Sequence, residues 1–210
     1  GDGPPRRARG SPRRPAGTGA LIRPARRTSG SAAAAVLLAL AGFAAIGAKA
    51  VPATPPPPAG VRVAPPVDSK SWINSKRLTR ADLDGKVRVV EFWTFACVNC
   101  QNTVMAMREI HGLYAKKGVV VVGVHSPEFP RERDSTAVAA AVAKSGIRFP
   151  VALDTDPRIF DGYKNRYWPM LYLIDRKGIV RATHVGELHV GTRAWNNFTA
   201  AIDSVLAWSG

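Results

Sequence analysis

The sequence predicts an α/β domain with a central mixed sheet flanked by helices. Three observations predict it. Short β-branched runs alternate with helix-length segments through the middle of the chain, the pattern of parallel strands joined by crossover helices. Asp175-Arg176-Lys177-Gly178 then separates two strand-like runs, so a hairpin adds antiparallel strands at the sheet edge. The only two cysteines, Cys97 and Cys100, fall where a strand hands over to a helix.

Taken in order, residues 1–31 form a basic leader rich in Arg, Pro, Gly and Ser that cannot build a core. Every residue from Ala32 to Ala48 is apolar or Gly, and Ala48-Lys49-Ala50 follows as a small-residue cleavage pattern. Residues 32–50 therefore read as the apolar part of an export signal, cleaved or retained as an N-terminal membrane anchor, with the rest of the chain outside the cytoplasm. Arg26-Arg27 gives a weak twin-arginine hint. Residues 51–67, with Pro55-Pro56-Pro57-Pro58 and Pro65-Pro66, read as a stiff spacer.

The folded domain is expected over 68–210. Leu78 to Leu83 is a short amphipathic piece, and Asp84-Gly85 turns into a strand over Lys86–Trp93 that is apolar enough to be buried on both faces. Gln101 to Lys117 is a helix with Val104, Met107, His111 and Tyr114 at helical spacing, closed by Gly118. Val119–His125 is a second buried strand. Ser135–Ser145 is a helix, Phe149–Leu153 a short strand and Pro157–Tyr163 a helical turn. Met170–Ile174 and Ile179–Val185 are the hairpin strands, and Arg193–Trp208 is a last amphipathic helix. No internal repeat is visible.

The Cys-x-x-Cys spacing at a helix start puts both sulfurs on one turn, within reach of a disulfide. Cys97 lies at the positive end of the helix dipole, which favours the thiolate and makes it the nucleophile, with Cys100 one turn deeper as the resolving thiol. A structural disulfide closing so short a loop would remove little chain entropy. A metal knuckle would need about two further ligands; there is no second Cys pair, and His111, His125, His184 and His189 are scattered. Gln101 after Cys100 excludes the c-type haem signature. No cofactor is expected.

The formal net charge of +15 suggests a nucleic-acid binder until it is located. Eight Arg and one Asp lie within residues 1–27, whereas from Val67 onward 20 basic residues face 14 acidic ones. No basic run interleaved with aromatics appears, so no nucleic-acid partner is expected.

Trp72-x-Asn74-Ser75, Phe92-Trp93-Thr94-Phe95-x-Cys97-x-Asn99-Cys100, Gly123-Val124-His125-Ser126-Pro127-Glu128-Phe129 and Trp168-Pro169-x-x-Tyr172-Leu173-Ile174-Asp175 together resemble the exported thioredoxin-like domain of DipZ-type and TlpA-like redoxins, over roughly Trp72 to Glu187. The resemblance implies a thioredoxin-like fold and thiol-disulfide exchange. Glu91 falls where that superfamily places a buried acid that moves the resolving thiol's proton. Pro169 matches its cis-proline facing the disulfide, and Trp168 would line the substrate groove there. The relatives are mostly reductants. The resemblance thus implies disulfide-containing cell-envelope proteins as substrates, apocytochrome c among the candidates, and a membrane electron donor of the CcdA/DsbD kind. It places the protein in a bacterial envelope, periplasmic or anchored. Two other readings share the fold. Thr94-x-x-Cys97 matches the end of a peroxiredoxin motif, implying a peroxidase. His184 with the two cysteines could form a copper site of an assembly factor, although that family spaces its cysteines one residue further apart.

Overall fold

A computed structural model describes residues 62–208; the leader, the apolar run and most of the spacer lie outside them. The order of elements is β1 (Trp72–Ile73), α1 (Arg80–Leu83), β2 (Val87–Trp93), α2 (Val98–Tyr114), β3 (Val119–His125), α3 (Ser135–Lys144), β4 (Val151–Leu153), α4 (Arg158–Gly162), β5 (Met170–Ile174), β6 (Val180–Val185) and α5 (Arg193–Ala207). They form one six-stranded sheet in the order β1-β4-β3-β2-β5-β6. β2, β3 and β4 run parallel, while β5 pairs antiparallel with β2 and carries β6 outward as a hairpin. This is the expected mixed α/β sheet.

Strand β2 sits at its centre and is buried along its whole length. Its side chains alternate between two cores. Val87, Val89 and Trp93 join Cys100, Met107 and Ile110 of α2 and Phe198 and Ile202 of α5. Val90 and Phe92 join Leu83, Phe160, Tyr163 and Tyr172 on the other side. Phe92 meets Phe160, Tyr163 and Tyr172 edge-on, with ring centroids 4.9–5.8 Å apart. Such aromatic clusters fix β2 against the second layer.

Three expectations are corrected. The helix after the cysteines starts at Val98 and buries Cys100, Thr103, Ala106, Met107, Ile110 and Tyr114, whereas Val104 and His111 are only half-buried. The folded part begins ahead of Asp68: Ala64 N donates to Gly178 O (2.8 Å), Val180 N donates to Arg62 O (3.1 Å), and Val67 is buried. Trp72–Ile73, where no strand was expected, is an edge strand paired antiparallel with β4. Among the described residues no helix is long and apolar enough to cross a membrane.

Candidate active site

The site lies where β2 ends. Cys97 is the N-cap of α2, with extended backbone, and its sulfur accepts the Cys100 N–H at 3.2 Å. A helix start leaves its first N–H groups without partners, and here one of them is aimed at a sulfur. Cys97 is half-buried, Cys100 fully buried, and both are free thiols. Cys97 Sγ also lies 3.8 Å from the Trp168 carbonyl. Burial pushes the Cys100 thiol well above the usual range, and its hydrogen bond with Cys97 adds to that rise.

Glu91 occupies the β2 position between Val89 and Trp93 and so faces the same layer as Cys100. It is 2 % exposed, and its Oε1 has no hydrogen-bond partner. Burial raises its carboxyl to about 8. Its charge, when present, further disfavours ionisation of Cys100. A largely protonated acid therefore lies beneath the buried thiol at neutral pH.

The Trp168–Pro169 peptide bond is cis, as the resemblance implies. What reaches Cys97 is the Trp168 backbone carbonyl. The indole stacks on Phe160 at 4.5 Å and donates from Nε1 to Ser126 O at 3.1 Å. Trp93 is buried and meets His125 edge-on at 5.1 Å. Gly123 lies opposite Glu91 in the β2–β3 register, and a Cβ there would stand 2.9 Å from Trp93 Nε1.

Two site residues went unassigned by sequence reasoning. Glu132 follows Pro130 in a 3-10 turn (Pro130–Arg133) and is 1 % exposed. Its Oε1 accepts from the Thr94 hydroxyl and from Ala96 N (2.9 Å), and its Oε2 from Glu128 N (2.7 Å) and Phe129 N (2.8 Å). Burial alone would raise its carboxyl, but the bonds from Thr94, Phe129, Ala96 and Glu128 outweigh it and hold the group below the ordinary carboxylate range. His125 stacks on Phe95, and its Nε2 accepts the Phe95 N–H at 3.4 Å. Burial lowers the imidazole to about 4, against the pull of Glu132, so the ring is neutral. The one local signal for Glu132 is its place three residues into a turn opened by Pro130, where an acid caps the preceding N–H groups.

The two alternative chemistries meet this geometry as follows. The Thr94 hydroxyl is engaged by Glu132 and fully buried. The His184 ring nitrogen is hydrogen-bonded to Glu187 O at 2.9 Å. Among the described residues no group of three or more His, Cys, Asp or Glu could hold a metal ion.

A central mixed sheet between helices, with a Cys-x-x-Cys capping the helix that follows its middle strand, defines a thioredoxin-like protein. A model of the AhpC/TSA family matches residues 62–183, more than half of the chain, and the chain belongs to that family. It is 39 % identical over 119 residues to protein DipZ of Mycobacterium tuberculosis (strain CDC 1551 / Oshkosh), a match covering 55 % of this chain and only 17 % of DipZ. It is 29 % identical over 118 residues to the thiol-disulfide oxidoreductase YkuV of Bacillus subtilis (strain 168), covering 56 % of this chain and 78 % of YkuV. Among solved structures it resembles a thiol-disulfide isomerase from Corynebacterium glutamicum, with TM-score 0.62 and 29 % identity, covering 70 % of this chain and 98 % of that one.

Proposed function

We propose that this protein is a thiol-disulfide oxidoreductase that reduces disulfides of cell-envelope proteins outside the cytoplasm. The observation that carries the reading is the division of labour between the two thiols. Cys97 is half-exposed and its sulfur receives an N–H, while Cys100 is sealed in the layer that Glu91 enters with an unpartnered oxygen. The relatives named as thiol-disulfide oxidoreductase and isomerase support it. Exposed apolar side chains near the site, Val98, Phe129 and Tyr167, suit a polypeptide substrate.

In the reaction, Cys97 attacks as the thiolate on one sulfur of the substrate disulfide. The S–S bond breaks, a mixed disulfide forms on Cys97, and the other substrate sulfur leaves as a thiolate that takes up a proton. Cys100 then gives its proton to Glu91 when Glu91 is ionised, and its thiolate attacks Cys97 Sγ. The Cys97–Cys100 disulfide forms, and the second substrate sulfur leaves and is protonated. Two electrons and two protons pass to the substrate. A dithiol donor restores the enzyme, in our reading a membrane electron donor of the CcdA/DsbD kind. The apolar run over 32–48 and its A-x-A pattern support export, cleaved or anchored.

Equilibration of the cysteine pair with glutathione, read by thiol alkylation, tests the direction. A potential near or below about −220 mV fits a reductant, whereas one near about −120 mV makes the protein an oxidant. If the two thiols never form a bond, the dithiol mechanism falls.

A further inference from the structure

The loop from Trp93 to Cys97 is held at nearly every polar group. Trp93 O accepts from Ser126 N at 3.1 Å, and Phe95 O accepts from the Gln101 side chain at 2.8 Å. Phe95 N–H goes to His125 Nε2, and Ala96 N–H and the Thr94 hydroxyl both go to Glu132 Oε1. Glu132 Oε2 meanwhile takes two N–H groups of the loop that follows β3. One carboxylate thus ties the segment presenting Cys97 to a loop more than thirty residues away, and all its bonds are charge-assisted.

We infer that Glu132, seconded by His125, is the positioning group of the thiol exchange: it clamps the β2–α2 loop so that Cys97 is presented at the start of α2 with the Cys100 N–H on its sulfur. The inference rests on the dithiol reading above and adds a residue that touches neither sulfur. The carboxylate accepts four donors from two sides. A glutamine of the same length can accept only through its oxygen, so its NH2 group must face two N–H donors, or an N–H and a hydroxyl. The clamp opens on one side without any loss of volume.

The test uses the full chain with E132Q, E132D and T94V. The last removes a single donor and leaves the three backbone bonds intact, in case E132Q folds poorly. I174V, in the other core layer and at the end of β5 away from Pro169, serves as a destabilised control. Two readouts are taken. One is the second-order rate of insulin disulfide reduction per folded molecule. The other is the exchange rate of the Cys100 amide proton by NMR, a group Glu132 does not contact. We expect E132Q to slow reduction by about tenfold to a hundredfold, since misplacing a reacting group by about 1 Å can cost about 10²-fold, and to speed Cys100 amide exchange alongside. T94V is expected to show a smaller change of the same sign, E132D to recover part of the loss, and I174V to leave both rates at the wild-type values. If E132Q and T94V leave the Cys100 amide and the reduction rate unchanged, the clamp has no positioning role and the inference is overturned. If the wild type fails to reduce insulin while E132Q still frees the Cys100 amide, the clamp stands and the proposed function falls.

Discussion

Glu91 and Glu132 are both almost sealed from solvent near one pair of thiols, and they are held in opposite states. Glu91 projects from the central strand into an apolar layer, has an oxygen with no partner, and is raised to about 8. Glu132 receives four donors and is held below the ordinary range. Burial alone therefore does not decide the protonation of an acid. It raises the carboxyl unless enough donors outweigh it. A group kept protonated without partners can take up and release a proton at neutral pH, whereas one kept ionised by its partners can only hold structure. Acids driven apart in this way mark their separate assignments.

The largest effect should separate the thiols themselves. Cys100→Ser is expected to stop turnover while leaving Cys97 able to attack, so a mixed disulfide with substrate accumulates and is seen by mass spectrometry. Glu91→Gln tests the acid beneath them. Losing a general base costs about 10²–10⁴-fold, so the second step should slow by that order with the first step unaffected. The rise of the wild-type second step with pH through about 8 should vanish with it. Stopped-flow traces across pH 6–9 check both points, and an unchanged pH limb in Glu91→Gln would remove the acid from the mechanism.

Stability against pH sharpens the contrast further. Glu91 binds its proton more tightly folded than unfolded, from the ordinary 4.5 up to about 8. Its contribution is thus fully present below pH 4.5 and lost as pH rises through 8, on the order of 5 kcal/mol over the window. His125 runs the other way. Its folded value of about 4 lies below the ordinary 6.5, so the unfolded chain binds the proton first as pH falls. Its contribution is present above pH 6.5 and lost as pH falls to 4, on the order of 3 kcal/mol. Urea titrations of wild type and His125→Gln from pH 4 to 7 should show a steeper fall toward acid in the wild type; parallel curves would mean that the imidazole is not held neutral.

How much of this was legible in the sequence depended on how local the cause was. The thiol pair was readable because spacing and a strand–helix junction set it within a few residues. Glu91 was readable only through the resemblance, which places a buried acid just ahead of the Phe92-Trp93 pair; the strand's apolar run, buried on both faces, did not say which layer it enters. Glu132 was not, since its meaning comes from Thr94 and Ala96 across two elements, and no periodicity records a contact between loops. His125 was noticed only as part of a motif and as one of four scattered histidines; its bond to Phe95 N is likewise non-local. The two-residue strand Trp72–Ile73 was missed because so short a run carries no alternation, and its pairing with β4 makes it a strand. The spacing of Val104, Met107, His111 and Tyr114 marked α2 as a helix, and Met107 and Tyr114 are buried, but the helix starts earlier, at Val98, and also turns Thr103, Ala106 and Ile110 inward.

The smallest expected effect falls on the seam between the two acids. Gly123 stands opposite Glu91 in the sheet, beside the indole that packs edge-on against His125. In Gly123→Ala the new methyl would meet Trp93 Nε1 at 2.9 Å and the Phe149 ring at 3.1 Å. Neither ring can yield freely: Trp93 is wedged against His125, and Phe149 is fully buried. Overpacking of this kind costs about 1–3 kcal/mol, which thermal denaturation would register. The informative comparison is where the displaced indole goes. If it pushes on His125, Phe95 N loses its acceptor, and reduction should slow in proportion to amide exchange at Phe95. If it pushes toward Glu91, the loop stays shut while the pH limb near 8 moves. A variant that lost stability without moving either readout would show that Trp93 packs between the two acids without coupling them.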